Sequence, residues 1–205
     1  VPDSEISPVA YEISKIAYES GRGFKGKVFL HTSGAATSEE MAPIKDKGGF
    51  TGSLHPAQTF PDRENSWKSM FNIYFGYEGS EEAKKYASDI VKSLNGKMLM
   101  LTAESKPLYH AAACVISNYT VTLSHVAGTL LEAAGIEREI GMKAFAPLLN
   151  ATVANIIDSG SVNALTGPVS RGDAETVLDH LNAMEAKLYN KESTIELYKL
   201  LGKET

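Results

Sequence analysis

Twice within about thirty residues a short apolar run stops at a histidine and a polar turn, and the stretch between the two runs is helical in pattern. The first is Lys27-Val28-Phe29-Leu30-His31-Thr32-Ser33-Gly34 and the second Gly52-Ser53-Leu54-His55-Pro56-Ala57-Gln58-Thr59-Phe60, with a helical segment at 37–47. Strand, helix, strand at this spacing is a βαβ unit, whose right-handed crossover makes the strands parallel. Both histidines therefore leave the carboxyl edge of one sheet, where open α/β sheets bind ligands.

The alternation continues on both sides. Helix is expected at 4–19, strands at 27–32 and 50–54, a proline-containing loop at 59–65, a strand at 70–77, a helix at 80–94 and a strand at 97–102. Beyond Thr102 the strand pattern stops, and helical periodicity fills 103–134, 136–159, 173–189 and 191–200. This predicts an α/β part over 1–102 followed by an all-α part over 103–205. The first long helix carries Ala111, Ala112, Val115, Ile116, Val121, Leu123, Val126, Leu130 and Leu131 nearly all round its axis, which marks a helix buried on most sides. A second copy of the chain is the economical cover, so a homodimer is expected.

Composition excludes several partners. Net charge is -5 and Lys and Arg are scattered, so no basic stripe is present to neutralise a nucleic-acid backbone. The single cysteine, Cys114, cannot form an internal disulfide and fits a reducing compartment. No apolar run is read as approaching the roughly 20 residues of a membrane span, and no charged-then-apolar leader opens the chain. A soluble cytoplasmic protein is the expectation. Val1-Pro2-Asp3-Ser4-Glu5-Ile6 reads as a strand end turning into a helix, so a segment upstream of it is expected as well.

Gly21-Arg22-Gly23-Phe24-Lys25-Gly26 matches the dinucleotide pattern G-x-G-x-x-G, but a helix precedes it and a strand follows. The fingerprint needs the opposite order, so that a helix N-terminus meets the pyrophosphate, and the segment reads as a plain loop. Ser33-Gly34-Ala35-Ala36 does join a strand to a helix; its amides can hold a phosphate or carboxylate, or it is a simple turn with capping residues. His55 precedes Pro56, which keeps it extended at the strand end, where an imidazole can hydrogen-bond a substrate carbonyl or carboxylate. His31 is the weaker of the two candidates, because a strand-end histidine often bonds a neighbouring loop.

On the long helix Lys106 and His110 are four apart, and Asn118, Thr122 and His125 form a second polar stack. Polar groups on an apolar helix need partners or a cavity, so packing and function are both open here. Lys106 before Pro107 stands at the helix entrance, and a lysine there with Asn118 some turns later resembles the acid and orienting amide of hydroxyacid dehydrogenases. His110, Gln58 and Arg171 are the candidates for substrate contact, Arg171 equally for capping a helix. Cys114 in its apolar setting reads as an inert thiol, and neither zinc-type Cys/His spacing nor a Ser-centred nucleophile elbow is present.

Taken together, Val1-Pro2-Asp3, His31-Thr32-Ser33-Gly34, Gly52 to Phe60, Ser105-Lys106-Pro107-Leu108-Tyr109-His110, Ser117-Asn118 and Leu165-Thr166-Gly167-Pro168-Val169-Ser170-Arg171-Gly172-Asp173 resemble one family over the whole chain. It comprises Rossmann-like proteins with a C-terminal helical domain of unknown function (domain of unknown function 2520), described as NADP oxidoreductases of the deazaflavin (coenzyme F420) type. The resemblance implies a partial Rossmann-like parallel sheet, then a helical dimerisation domain similar to the C-terminal part of 6-phosphogluconate dehydrogenase. It further implies an NADP or NAD cofactor in the complete protein and hydride transfer in an interdomain cleft to a small carbonyl, imine or hydroxy acid. Candidate catalytic residues are then His55, Lys106 and Asn118, with Ser33 and Gly34 by the cofactor. The His55-Pro56 pair is also similar to the His-Pro motif of prephenate dehydrogenases. Family members begin with a strand, a glycine fingerprint and a helix that this sequence does not carry, so these 205 residues alone are expected to bind a dinucleotide weakly. A non-catalytic ligand-sensing or dimerisation module is the alternative.

Overall fold

A computed structural model describes residues 1–19, 21, 23–62 and 64–205; Ser20, Arg22 and Arg63 lie outside the described residues, and with them part of the Gly21–Gly26 segment and of the 59–65 loop. The chain forms two compact units, Val1–Asn118 and Tyr119–Thr205. The strands end near the expected boundary at 102, but the first turns of the long helix belong to the first unit.

In the first unit, α1 (Ile6–Glu19), β1 (Val28–His31), α2 (Ala42–Lys45), β2 (Phe50–Pro56), β3 (Tyr74–Gly79), α3 (Glu81–Ser93), β4 (Lys97–Met100) and α4 (Lys106–Cys114) build one four-stranded sheet in the order β1-β2-β3-β4. β1 and β2 are parallel, as the βαβ reading requires, with His31 beside Ser53. β3 is antiparallel to β2 and parallel to β4, so the sheet is mixed where a parallel one was expected. The connection from β2 to β3 explains this: its described residues include a 3-10 turn at Ser66–Met70, and the chain comes straight back with the Ala57 amide donating to the Tyr74 carbonyl. β3 accordingly starts at Tyr74 rather than at residue 70.

The two faces of the sheet differ in chemistry. Val28, Leu30, Phe50, Leu54, Phe75 and Tyr77 face α3, whose Ala83, Ala87 and Val91, four apart, make a small-residue stripe that lets the helix lie close to the strands. Ser80 caps α3, accepting from the Ala83 amide, and acidic residues in its first turn with Lys92 in the last suit its dipole. On the other face only one side is apolar: Phe29 packs with Ile6, Ala10, Ala17, Phe24, Met41 and Ile44 under α1 and α2. The rest of that face carries Thr51, Ser53, His55 and, in register with Ser53, Glu78.

In the second unit α5 (Thr120–Ala133), α6 (Arg138–Ala164), α7 (Gly167–Ser170), α8 (Ala174–Lys187) and α9 (Glu192–Glu204) follow the helical pattern. Gly135, with positive φ, stops α5, and Gly160 has non-helical dihedrals inside α6. Arg138 ties α6 to α5 through the His125 carbonyl, Thr129 and Glu132, seated on Gly128, where a methyl group would lie 2.7 Å from its Nη1. Asp173 caps α8, accepting from the Thr176 amide. One expectation fails: by length and composition the stretch Arg138–Ser170 is apolar enough to cross a membrane, with mean hydropathy 1.3 over an 18-residue window, of which only 6% is buried within the single chain.

Candidate functional site

The polar part of the second sheet face is organised by Ser33, which uses every polar group it has. Its carbonyl accepts from Lys106 Nζ at 2.9 Å and from Ser53 Oγ at 2.9 Å. Its hydroxyl donates to Asp3 Oδ2 at 2.5 Å and accepts from the amides of Ala35 and Ala36 at 3.2 and 2.9 Å. Its own amide donates to His31 Nδ1 at 3.2 Å. The turn after β1 is thereby held by the start of the chain, by β2 and by α4 together.

Lys106 is wholly buried, 0% exposed, and its ammonium also donates to Ser53 Oγ. Among the described residues no carboxylate pairs with it. Burial lowers its pKa from the ordinary lysine value, while the more distant carboxylates of Glu78 and Asp3 act the other way. Glu78 is itself buried, accepting from the Ser38 amide and hydroxyl at 2.7 Å each.

His31 is buried and both its nitrogens are engaged. Nε2 lies 3.1 Å from the Thr37 carbonyl and must donate, since a carbonyl only accepts; Nδ1 accepts from Ser33. That fixes the neutral Nε2–H tautomer. Burial lowers its pKa, with the Thr37 bond opposing and Lys106 adding to the fall. His31 thus bonds a neighbouring loop, the role that a strand-end histidine commonly has.

His55 is half-buried. Nδ1 lies 2.9 Å from Tyr109 Oη, and its ring meets that of Tyr109 edge-on at 5.5 Å and that of His110 at 6.2 Å. Burial first, then His110 and Lys106, lower its pKa, and Asp3 opposes them. The rings of His55 and His110 close over Gly34: a methyl group there would lie 2.6 Å from His110 Cδ2 and 2.8 Å from His55 Nε2. His110 Nδ1 is in turn 3.9 Å from Cys114 Sγ.

The structure therefore brings His55, Lys106, His110, Ser33 and Gly34 together, though by a different route from the one the sequence suggests. β4 runs opposite to β2, so Lys106 does not enter its helix at the edge where His55 leaves. Instead α4 turns back over the sheet, and its side chains at i, i+3 and i+4 reach Ser53, then His55 and Gly76, then Gly34. Asn118 lies exposed in a π-helical turn, Val115–Tyr119. Gln58 is exposed and its carbonyl oxygen caps its own loop at the Thr59 amide. Arg171 belongs to the second unit, where it ends α7. As a phosphate cradle the Ser33–Gly34 turn is poorly suited, because the amides of Ala35 and Ala36 already point at Ser33 Oγ.

Ser53, Tyr109, Asp3 and Glu78 were not picked out from the sequence. The signal for Ser53 was there: Thr51, Ser53 and His55 alternate with Phe50, Leu54 and Pro56 in β2, giving one apolar and one polar side.

Comparison with known proteins agrees with this fold. The sequence profile described as Domain of unknown function (DUF2520) matches residues 73–205. No curated protein matches the chain. Among solved structures, protein TM1727 from Thermotoga maritima is 28% identical with a TM-score of 0.74, the match covering 99% of this chain and 75% of that one. BF3122 from Bacteroides fragilis, described provisionally as an NADP oxidoreductase, is 22% identical with a TM-score of 0.74, covering 100% and 72%. Pyrroline carboxylate reductase from Plasmodium falciparum, with NADP bound, is 15% identical with a TM-score of 0.54, covering 97% and 78%. The chain thus has the fold of NADP-dependent reductases.

Proposed function

The chain belongs to the DUF2520 family, and from that premise we propose that it is part of an NAD(P)-dependent oxidoreductase acting on a small carbonyl or imine, or in reverse on a hydroxy acid. The observation that carries this reading is His55 Nε2: it stands at the carboxyl end of β2 beside Gly34 and His110, and among the described residues it has no hydrogen-bond partner. A nicotinamide coenzyme, when bound, supplies the hydride. His55 hydrogen-bonds the substrate heteroatom on which negative charge develops, the placement in which a donor accelerates a reaction most. Lys106 holds the Ser33 turn in place and its charge lies beneath it, so it acts through the turn rather than by contact. The likeness in fold to reductases that carry NADP supports the coenzyme class; it names no substrate.

The test is oxidation of NADPH, followed by its absorbance, with a panel of cyclic imines, 2-oxo acids and small aldehydes. We expect turnover with at least one of them and a fall of about 10²-fold in His55→Ala, the usual effect of losing one such donor. No turnover with any member, together with measurable binding of the same compounds, would favour a ligand-sensing module instead. The complete burial of Lys106 is the observation that keeps that second reading in play.

We also infer that the protein is a homodimer through the helices of its second unit, where Val121, Ile157 and Val162 are 70%, 76% and 86% exposed in the single chain.

A further inference from the structure

Among the described side chains, only that of Tyr109 hydrogen-bonds the His55 ring. Its hydroxyl meets Nδ1, and its place is prepared by glycine. Gly76 pairs with His55 across β2 and β3, and a methyl group at Gly76 would lie 3.0 Å from Tyr109 Cζ and Oη and 2.9 Å from Leu101 Cδ1. Only a residue without a side chain lets the phenol ring rest on the strand at this point. On the far side of the imidazole Gly34 has the same function for Nε2. The imidazole is thus held between a hydroxyl at one nitrogen and bare backbone at the other.

Burial raises the pKa of Tyr109, so the phenol keeps its proton and is able to donate it to Nδ1, a bond that selects one of the two neutral imidazole tautomers. A neutral imidazole whose Nδ1 accepts carries its own proton on Nε2, the nitrogen that faces Gly34. We propose that Tyr109 is a positioning residue that holds His55 as the Nε2–H tautomer, with Gly34 and Gly76 required as glycines to seat the two rings. The proposal rests on the reading of His55 as the group that meets substrate, and it deepens it. A neutral N–H suits an acceptor atom, a carbonyl oxygen or an imine nitrogen, and so favours the substrate in its oxidised form. No bond is made or broken at His55 in this role; the hydrogen bond polarises the acceptor, and solvent water supplies the proton that the product gains along with the hydride.

The experiment is long-range nitrogen–proton correlation NMR of the chain labelled with 15N-histidine, at a pH above the imidazole range. We expect a pure Nε2–H pattern for His55, and a mixture of tautomers in Tyr109→Phe. His31, fixed as Nε2–H by Thr37 and Ser33, should keep its pattern in both and reports that the variant is folded. Gly34→Ala should move the ring signals of His55 and His110 together. An Nδ1–H pattern for His55 in the unmodified chain, or the same tautomer populations with and without the Tyr109 hydroxyl, overturns the proposal. The measurement needs no substrate, so it is independent of the turnover assay: tautomer control without turnover sinks the oxidoreductase reading alone. In a turning-over enzyme, Tyr109→Phe should lower kcat by roughly 10- to 100-fold with a smaller change in KM, as loss of precise placement does.

Discussion

A proton added to His31 breaks the bond that its Nδ1 accepts from the Ser33 amide, and one added to His55 is buried beside His110 and near Lys106. Both histidines have folded-state pKa values below the unfolded value of about 6.5. The unfolded chain therefore binds more protons just below that value, and stability falls as pH drops through it. Thermal melts should show a midpoint that holds above about pH 7 and declines below about pH 6.5, with a shallower decline in His55→Ala; a midpoint independent of pH across this window would contradict the neutral state of the buried His31 and half-buried His55 rings. Glu78 gives a second residue-level outcome. Glu78→Ala leaves the buried Ser38 amide and hydroxyl without their acceptor, and the loss should be about 1–3 kcal/mol by denaturant titration. His55 and Lys106 were legible as candidates because each sits where strand grammar changes to loop or helix. Tyr109 was not, since an aromatic residue on an apolar helix looks the same whether it packs or bonds. The burial of Lys106 was also hidden, because nothing local to it shows that a carbonyl and a hydroxyl from far along the chain wait for its ammonium.

At the level of elements, local signals were enough wherever an element is defined by its own residues. Ser80 followed by Glu81 and Glu82 marked the start of α3, and Ser80→Ala should destabilise the chain by roughly 1 kcal/mol through loss of the bond from the Ala83 amide, measured by chemical unfolding. Strand direction is a different kind of property. It depends on what covers the sheet between two strands, and residues 57–73, whose described residues form only a 3-10 turn, gave no sign that β3 would turn back along β2. The π turn at Val115–Tyr119 is likewise invisible in periodicity, since one extra residue per turn leaves the apolar pattern of the long helix nearly intact.

For the molecule as a whole, the exposed apolar surface of α5 and α6 sets the strongest expectation. Light scattering at micromolar concentration should give a mass near twice 22.1 kDa, with an interface beyond the roughly 1,200 Å² of specific contacts. A monomer that instead partitions into lipid vesicles would assign the apolar stretch Arg138–Ser170 to a bilayer. The Ser33 network has a consequence of another sort, in time rather than in space. Its bonds close over long stretches of chain, 73 residues from Ser33 to Lys106 and 30 from Asp3 to Ser33, and the neighbouring bond from His55 to Tyr109 spans 54. Loops of that length are slow to close, and polar contacts offer little attraction until water has left. We therefore expect the polar side of the sheet to close after the barrier to folding, since its bonds, unlike the apolar contacts under α3, gain little before water is expelled. Lys106→Met should then leave the folding rate nearly unchanged and speed unfolding, as stopped-flow measurements on both limbs can resolve. With that outcome, the chain reaches its compact shape before the Ser33 network closes, and on unfolding that network opens first.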